Sequence, residues 1–220
     1  MSDIRVKAHF DKVSYEFDNI YDDQGSLLNR IINRTLRKAM YERLPLTIRE
    51  CRDLQNKTVL DIGCGSGRGS FLLAKEGAKV TGVDFSANMI KLAKKYQKML
   101  KIGKVEFKCC DFMRDFDENT KYDVSIALGV FDYIKDPIPF LSKMKKLTKE
   151  RMISSYPARY TFQAPIRKIW LFTRHCPLYF YTEKDLEEIY AFIGVHEFKI
   201  IRLPTRTRIA TGYLVTAKLP

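Results

Sequence analysis

Residues 59–67 read Val-Leu-Asp-Ile-Gly-Cys-Gly-Ser-Gly, and this stretch decides the fold class. A short apolar strand, 58–62, runs into three alternating glycines, and a helix is predicted over 69–76. Glycine permits positive φ and lets a ligand approach the bare backbone. The helix that follows offers free N–H groups and a partial positive charge to an anionic ligand group. The stretch therefore predicts a small-molecule site where the strand ends.

Predicted strands and helices alternate through the rest of the chain. The strands cover 58–62, 79–84, 105–110, 122–128 and 151–155, and the helices between them cover 69–76, 87–99 and 137–147. A helix over 183–192, capped by Thr182, precedes two strands, 196–203 and 213–218, that are expected to form an antiparallel hairpin at a sheet edge. Parallel strands need crossover helices, so the pattern indicates an α/β fold. We expect a Rossmann-like doubly wound sheet, mostly parallel with an antiparallel C-terminal strand, beneath an N-terminal helical lid.

The flanks of this alternating region suggest the domain organisation. Residues 1–57 are predicted to be mostly helical, above all 27–41, and to form a helical cap. Residues 58–220 form the predicted core, and 156–181, rich in proline, arginine and aromatic side chains, forms a predicted substrate-cap insertion. We expect a monomer or a homodimer.

Composition narrows the function classes. The 220 residues carry a net charge of +13, yet six lysines between 91 and 104 are spaced like one solvated helix face, so no nucleic-acid partner is expected. Five cysteines without a Cys-x-x-Cys pair and three scattered histidines predict no metal site. No apolar run approaches ~20 residues and the N-terminus does not resemble a secretory signal, so a cytoplasmic protein is expected. Membrane contact by the basic, aromatic stretch 167–172 is not expected either.

The residues around the glycines limit the ligand. A dinucleotide loop needs Gly-x-Gly-x-x-Gly/Ala, but Arg68 or Ser70 occupies the sixth position in the two possible registers. Asp61 would repel a pyrophosphate and suits a ligand with a cationic end. The phosphate-binding Gly-Lys-Ser/Thr pattern and the Gly-x-Ser-x-Gly elbow of esterases are both missing from the sequence.

The motif Asp61-x-Gly63-x-Gly65-x-Gly67 resembles the first motif of class I S-adenosylmethionine-dependent methyltransferases, and residues 57–155 resemble that family's core in order and spacing. The resemblance implies S-adenosylmethionine as cofactor, with Cys64 in the binding loop. It also implies that Asp84, at the end of the second strand, accepts hydrogen bonds from both ribose hydroxyls.

The same resemblance assigns further cofactor contacts. Phe85 and Met89 would lie beside the adenine or ribose, Asp111 would bind the adenine amino group, and the N–H of Phe112 would bind a ring nitrogen. Leu128 begins the stretch that would pass under the methionine part of the cofactor. An N-terminal arginine pairs with the cofactor carboxylate in some relatives, and the candidates here are Arg30, Arg34 and Arg37.

A finer resemblance concerns the acceptor. The stretches 17–21 and 155–159 are similar to small-molecule methyltransferases of the ubiquinone-biosynthesis and magnesium-protoporphyrin type, in which N-terminal helices and an insertion cover the substrate. We therefore expect a small-molecule acceptor, methylated on oxygen or nitrogen. The candidate acceptor-binding residues are Tyr21, Asp132, Tyr156 and Tyr181.

A hydroxyl acceptor would gain from a general base, whereas a nitrogen acceptor needs only close positioning. His175 is the preferred base because imidazole titrates near neutral pH; the other candidates are Tyr156, Tyr179, Tyr181 and Asp132. Two alternative functions stay open at this point. One is RNA or protein methylation, which the net charge motivates, and the other is cofactor binding without turnover.

Overall fold

The computed structural model describes Val6 and residues 38–159, 177–204 and 210–220. Its helices are α1 (Lys38–Cys51), α2 (Arg68–Lys75), α3 (Ala87–Leu100), α4 (Pro137–Lys146) and α5 (Glu183–Phe192). Its strands are β1 (Thr58–Ile62), β2 (Lys79–Asp84), β3 (Val105–Cys109), β4 (Tyr122–Ala127), β5 (Thr148–Pro157), β6 (Phe198–Leu203) and β7 (Gly212–Lys218).

The seven strands form one sheet in the order β3-β2-β1-β4-β5-β7-β6. The four pairings that join β3 through β5 are all parallel, whereas β7 pairs antiparallel with both β5 and β6. The strand order reverses between β1 and β4, so the loops after these two strands diverge to opposite faces. In an open α/β sheet this switch point is where ligands bind. The predicted doubly wound sheet with an antiparallel C-terminal strand is confirmed.

Two apolar layers sandwich the sheet. On one face, α1 and α2 pack on a cluster that includes Val59, Val124 and Ile153, while α3 packs on Phe107. On the other face, α4 and α5 pack on a cluster that includes Leu60 and Met152. Because successive strand residues point to opposite faces, each central strand contributes apolar side chains to both layers. This explains why β1 and β4 are buried along almost their whole length.

Local signals set most element boundaries where the sequence places them. The Ser86 side chain accepts a hydrogen bond from the Met89 N–H and begins α3, and Thr182 and Asp185 form the capping box that begins α5. Proline occupies the first position of α4, after the capping residue Asp136.

Two boundaries differ from the prediction. Strand β5 extends beyond 151–155 on both sides, because β4 pairs with it at Thr148 and β7 pairs with it as far as Pro157. The N-terminal helix is described from Lys38 and continues to Cys51, ten residues beyond its predicted end, with Pro45 inside it. The other residues predicted for this helix, 27–37, lie outside the described part of the chain. No helix in the described ranges is long and apolar enough to cross a membrane.

Candidate active site

All three motif glycines have positive φ, but the space beside each of them differs. A Cβ on Gly63 would lie 2.5 Å from Val130 Cγ2, and one on Gly67 would lie 2.7 Å from Phe107 Cζ. A Cβ on Gly65 would meet no atom within 4 Å. The bare backbone of the first and third glycines is therefore required by packing inside the protein. Gly65 is the one whose open side faces free space, where a ligand can approach.

Asp84 holds the loop from the end of β2. Its Oδ2 accepts a hydrogen bond from the Gly65 N–H at 2.9 Å, and its Oδ1 accepts one from the Ser86 N–H at 2.8 Å. A carboxylate oxygen has two lone pairs, so it can accept more than one hydrogen bond. The carboxylate is 8% exposed and lies directly beside the open glycine. This geometry suits a ligand that presents two hydroxyl groups.

Asp61 lies beneath the loop, at the carboxyl-terminal part of β1. Its Oδ2 accepts a hydrogen bond from Ser70 Oγ at 2.6 Å, and burial raises the pKa of its carboxyl group to about 6 against the lowering effect of that hydrogen bond. The Asp84 charge raises this pKa further and the Arg43 charge lowers it. Near neutral pH the carboxyl is thus poised between its two forms, and a cationic ligand group nearby would favour ionisation.

Arg43, on α1, is a site residue that the sequence interpretation missed. Its Nη1 donates to Ser155 Oγ at 3.3 Å, and the same oxygen accepts the Gly129 N–H at 2.8 Å. A Cβ on Gly129 would lie 3.2 Å from Arg43 Nη1, so the guanidinium lies over the backbone that follows β4. The arginine candidates considered from the sequence, Arg30, Arg34 and Arg37, fall outside the described residues. Arg43 contacts a serine 112 positions away, a relation that no local sequence signal carries.

The segment after β3 forms a tight turn beside Asp84. The Cys110 N–H donates to the Asp84 carbonyl at 3.1 Å, and Asp111 Oδ1 accepts the Met113 N–H at 2.9 Å. The Phe112 ring is buried among Phe116 and Phe140, so only its backbone is available to a ligand. This is compatible with a role for its N–H alone.

The remaining predicted cofactor residues differ in what they expose. Phe85 is half-buried and packs against Val6, as Tyr133 and Leu178 do, whereas Met89 is 3% exposed. Cys64 packs its thiol toward Phe71 and Phe107, so it would serve through its backbone. Leu128 packs against the layer of α1 and α2.

Tyr156 was expected to bind the acceptor or to act as a base, but the structure places its side chain in the core. Its side chain is 2% exposed, and its hydroxyl forms a closed buried network with Ser154 Oγ at 3.0 Å and Tyr190 OH at 3.2 Å. Burial raises the pKa of the Tyr156 hydroxyl well above its usual value. Side chains alternate along β5, so Ser155 points to Arg43 while Tyr156 points into the α4–α5 layer.

Tyr181 and Asp132 lie together in the loops after β5 and β4. The Tyr181 hydroxyl lies 3.3 Å from the carbonyls of both Phe131 and Ile134, which share its single proton, and burial raises its pKa, which disfavours a role as general base. Asp132 is 7% exposed, and its carbonyl accepts the Tyr179 N–H at 2.9 Å. The other two predicted residues, His175 and Tyr21, lie outside the described residues.

A groove of about 740 Å³ opens between the first turn of α4, the segment 178–181 and α5. Its apolar wall is formed by Ile138, Leu178, Phe180, Tyr181, Ile189 and Phe192. Arg159 and Asp185, whose charged groups lie 3.5 Å apart, stand on its rim. The groove is apolar space suited to an organic molecule. Within the described residues no group of three or more His, Cys, Asp or Glu side chains could hold a metal ion.

Curated relatives match the same region of the chain. A ubiquinone biosynthesis O-methyltransferase of Coxiella burnetii is 32% identical over 96 residues, which are 44% of this chain and 41% of that protein. The mitochondrial ubiquinone biosynthesis O-methyltransferase of Schizosaccharomyces pombe is 32% identical over 129 residues, 58% of this chain and 45% of that protein. The chain thus spans less than half the length of these relatives.

Solved structures match a larger share of the chain. Magnesium protoporphyrin IX methyltransferase from Synechocystis PCC 6803, crystallised with S-adenosylhomocysteine, has a TM-score of 0.75 and 24% identity, covering 99% of this chain and 100% of that one. Phosphoethanolamine N-methyltransferase 2 of Haemonchus contortus, with S-adenosyl-L-methionine, has a TM-score of 0.71 and 16% identity, covering 96% and 57%. At these identities the likeness establishes the fold.

The family assignment rests on a longer sequence match. The profile of the methyltransferase domain family matches residues 53–176, more than half of the 220 residues. This range contains the glycine loop, Asp84 and the turn after β3. The chain therefore belongs to the methyltransferase domain family.

Proposed function

We propose that this protein is a cytoplasmic enzyme that transfers a methyl group from S-adenosylmethionine to the oxygen or nitrogen of a small organic acceptor. The observation that carries the proposal is the pairing of Gly65 with Asp84. An open glycine and the carboxylate that accepts its N–H lie side by side at the switch point of the sheet. The names of the relatives, which describe small-molecule O- and N-methyltransferases, support the same reaction class.

The described residues suggest how the cofactor would be held. Asp84 would accept the ribose hydroxyls, and the turn at Asp111 and Phe112 would bind the adenine edge. At the other end, Arg43 would pair with the carboxylate of the methionine part, and Asp61 would favour its ammonium group. Phe85, Met89, Cys64, Gly63, Gly67 and Leu128 would complete the walls of the site.

The cofactor supplies an electrophilic methyl group on a sulfonium centre, and the chain supplies binding and orientation. Aligning the acceptor atom with that methyl group accounts for much of the rate in such displacements. We propose that the apolar groove beside Tyr181 and Asp132 leads the acceptor to this point. For a hydroxyl acceptor we keep His175 as the proposed general base, on the sequence argument alone. Tyr21 is likewise kept as a proposed acceptor contact.

We also propose that residues 1–57 form a cap over a core of residues 58–220, and that 156–181 cover the acceptor. The contact of Val6 with Phe85, Tyr133 and Leu178 supports the first part, because it joins the N-terminal segment to the loops after β2 and β4. A monomer or a homodimer is proposed. Analytical ultracentrifugation of the full chain distinguishes the two.

Incubation with S-adenosylmethionine that carries a radiolabelled methyl group tests the reaction class. Label is offered to separate metabolite, RNA and protein fractions of cell extract, and transfer into the metabolite fraction is the expected result. Transfer into RNA or protein would establish the alternative acceptors. Binding of S-adenosylhomocysteine without transfer to any fraction would indicate a cofactor-binding protein without turnover.

A further inference from the structure

Helix α3 and the turn after it form a basic surface, defined here as Lys91–Lys104. The stretch 85–105 contains six lysines and neither aspartate nor glutamate. All six side chains are exposed, and within the described part of the chain no carboxylate pairs with them. The lysines of this basic surface are Lys91, Lys94, Lys95, Lys98, Lys101 and Lys104.

The four lysines within the helix project from one side of it. At about 100° per residue, Lys91, Lys94, Lys95 and Lys98 cover an arc of about 100° on the helix. The buried side chains Met89, Ile90, Leu92 and Ala93 occupy the opposite side and hold the helix on the sheet. Like charges on successive turns of a helix repel one another and reduce its stability. An anionic partner would remove that cost.

Large apolar side chains are exposed at the end of this surface. Met99 is 66% exposed and Leu100 is 54% exposed. Lys101 ends the helix in the left-handed region, with φ of 53°, and Lys104 has φ of 48°. The last turn of α3 and the turn after it therefore carry exposed lysines beside two exposed apolar side chains. Exposed apolar side chains within a basic segment are typical of surfaces that lie on anionic membranes.

The basic surface and the glycine loop are at opposite ends of the sheet. The glycine loop follows the carboxyl end of β1, whereas the turn 101–104 precedes the amino end of β3, which is parallel to β2 and β1. A partner that covers the turn would leave the site at Gly65 and Asp84 accessible. A partner docked at this turn would therefore not occupy the proposed cofactor and acceptor site.

We propose that the end of the basic surface docks the protein on an anionic phospholipid membrane, with Lys98, Lys101 and Lys104 at the lipid phosphates and Met99 and Leu100 in the interfacial region. The composition favours lipid over nucleic acid. The stretch contains no arginine, which binds phosphates bidentately, and its two aromatic residues, Phe85 and Tyr96, are half-buried and thus poorly placed for stacking on bases. Two exposed apolar side chains would gain nothing beside a phosphodiester backbone.

Co-sedimentation of the full chain with vesicles tests the proposal. Vesicles of phosphatidylglycerol and phosphatidylcholine are compared with vesicles of phosphatidylcholine alone. One variant combines Lys98→Gln, Lys101→Gln and Lys104→Gln, and a second combines Met99→Ser and Leu100→Ser. The matched charge control combines Lys184→Gln, Lys199→Gln and Lys218→Gln, three exposed lysines on α5, β6 and β7. Thermal melting and S-adenosylhomocysteine affinity show that each variant is folded.

The wild-type protein and the charge control are expected to bind the anionic vesicles, and neither is expected to bind phosphatidylcholine alone. The triple lysine variant should bind at least about tenfold more weakly, since each lysine at an anionic surface contributes to binding. The Met99 and Leu100 variant should also bind more weakly, at unchanged net charge. Equal binding by all variants, or no binding of the wild type to anionic vesicles, would overturn the proposal. Loss of RNA-oligonucleotide binding in the lysine variant, without vesicle binding by the wild type, would assign the surface to nucleic acid instead.

Discussion

At the scale of single residues, the raised pKa of the buried Asp61 carboxyl group would make cofactor binding at the proposed site depend on pH. Burial raises its folded pKa to about 6, above the value of about 4 expected in the unfolded chain. The stability associated with the neutral form is therefore complete below pH 4 and is lost as pH rises through 6. A bound ammonium group would instead favour the ionised form, so binding and deprotonation of Asp61 support each other.

This coupling predicts that S-adenosylhomocysteine binds more tightly as pH rises from 5 to 7. The expected gain is up to about tenfold, since one pKa unit corresponds to about 1.4 kcal/mol. Isothermal titration calorimetry across this range measures it. Asp61→Asn should abolish the slope, while 5′-methylthioadenosine, which lacks the amino-acid part, should show no slope with either protein. A slope of the same size for both ligands would exclude Asp61 as the partner of the ammonium group.

The different neighbours of Gly65 and Gly67 give a second prediction. Gly65→Ala places a methyl group in open space, so it should weaken S-adenosylhomocysteine binding at least about tenfold and cost only about 1 kcal/mol of stability for the left-handed backbone. Gly67→Ala forces the methyl group against Phe107 and Phe71, so it should lower stability by about 2–4 kcal/mol. Urea unfolding and calorimetry on both variants separate the effects. The prediction is wrong if Gly65→Ala destabilises the protein more than Gly67→Ala does.

The sequence could identify these glycines as a motif, but it could not tell which glycine faces the ligand and which is required by packing. The pattern Gly-x-Gly-x-Gly is periodic, and nothing within it distinguishes a glycine that faces Val130 or Phe107 from one that faces a ligand. Those neighbours are more than 35 positions away along the chain. Asp84 was different, because its position at the end of a predicted strand already placed it at the binding edge of the sheet.

At the scale of elements, helix α1 brings Arg43 onto β5 through Ser155. Arg43→Ala should weaken S-adenosylhomocysteine binding at least about tenfold, because a charge-assisted contact to the ligand carboxylate is worth about 1.5–3 kcal/mol. It should leave 5′-methylthioadenosine binding unchanged. Calorimetry with both ligands measures this. The control is Arg49→Ala on the same helix, whose side chain is 65% exposed and points away from the site. Equal losses for both ligands would mean that Arg43 acts on the fold of the site and not on the carboxylate.

Asp123 joins three strands at the amino-terminal edge of the sheet. Its Oδ2 accepts hydrogen bonds from the Thr58 N–H at 2.8 Å and Thr58 Oγ1 at 2.7 Å, and its Oδ1 lies 3.1 Å from Lys149 Nζ. Burial raises the pKa of this carboxyl group, but the hydrogen bonds from Thr58 and Lys149 outweigh that effect and lower the pKa to about 2. The carboxylate therefore stabilises the fold above pH 4, and this contribution is lost as pH falls through 2.

Asp123→Asn should reduce the free energy of unfolding by about 1–2 kcal/mol at pH 7, allowing for partial solvent screening. The difference from wild type should shrink as pH falls from 4 to 2. Urea unfolding at several pH values measures both effects. Asp117→Asn, in an exposed loop, serves as the control. A difference that stays constant down to pH 2 would show that the charge of Asp123 does not stabilise the strands.

Local sequence signals define some element boundaries, and contacts between distant segments define the others. Ser86 and Thr182 predict helix starts because the backbone N–H groups that they cap lie within three residues. The position of β7 between β5 and β6 is different. A hairpin signal predicts that β6 and β7 pair, but only the apolar surface of the assembled sheet determines which of the two joins β5. The length of β5 depends on that choice.

At the scale of the whole molecule, the two ends of the sheet carry different functional groups. The carboxyl ends bring together Asp61, Gly65 and Asp84 with Arg43 from α1, while the basic surface runs along α3 and ends at the amino end of β3. The buried hydrogen-bond network of Ser154, Tyr156 and Tyr190 connects α5 to β5. Sequence periodicity predicted this architecture well because strands and helices alternate regularly over the central region. It could not predict Tyr156, whose aromatic ring suits a ligand contact and a core position equally well.

The central claim is that Asp84 and the open glycine beside it bind the nucleoside of S-adenosylmethionine. Calorimetric titration of S-adenosylhomocysteine into the wild type, Asp84→Ala and the exposed-loop control Asp117→Ala tests it most directly. We predict one site per chain, with affinity reduced at least about tenfold by Asp84→Ala and unchanged by Asp117→Ala. Equal affinity in all three proteins, or no binding to the wild type, would contradict the account.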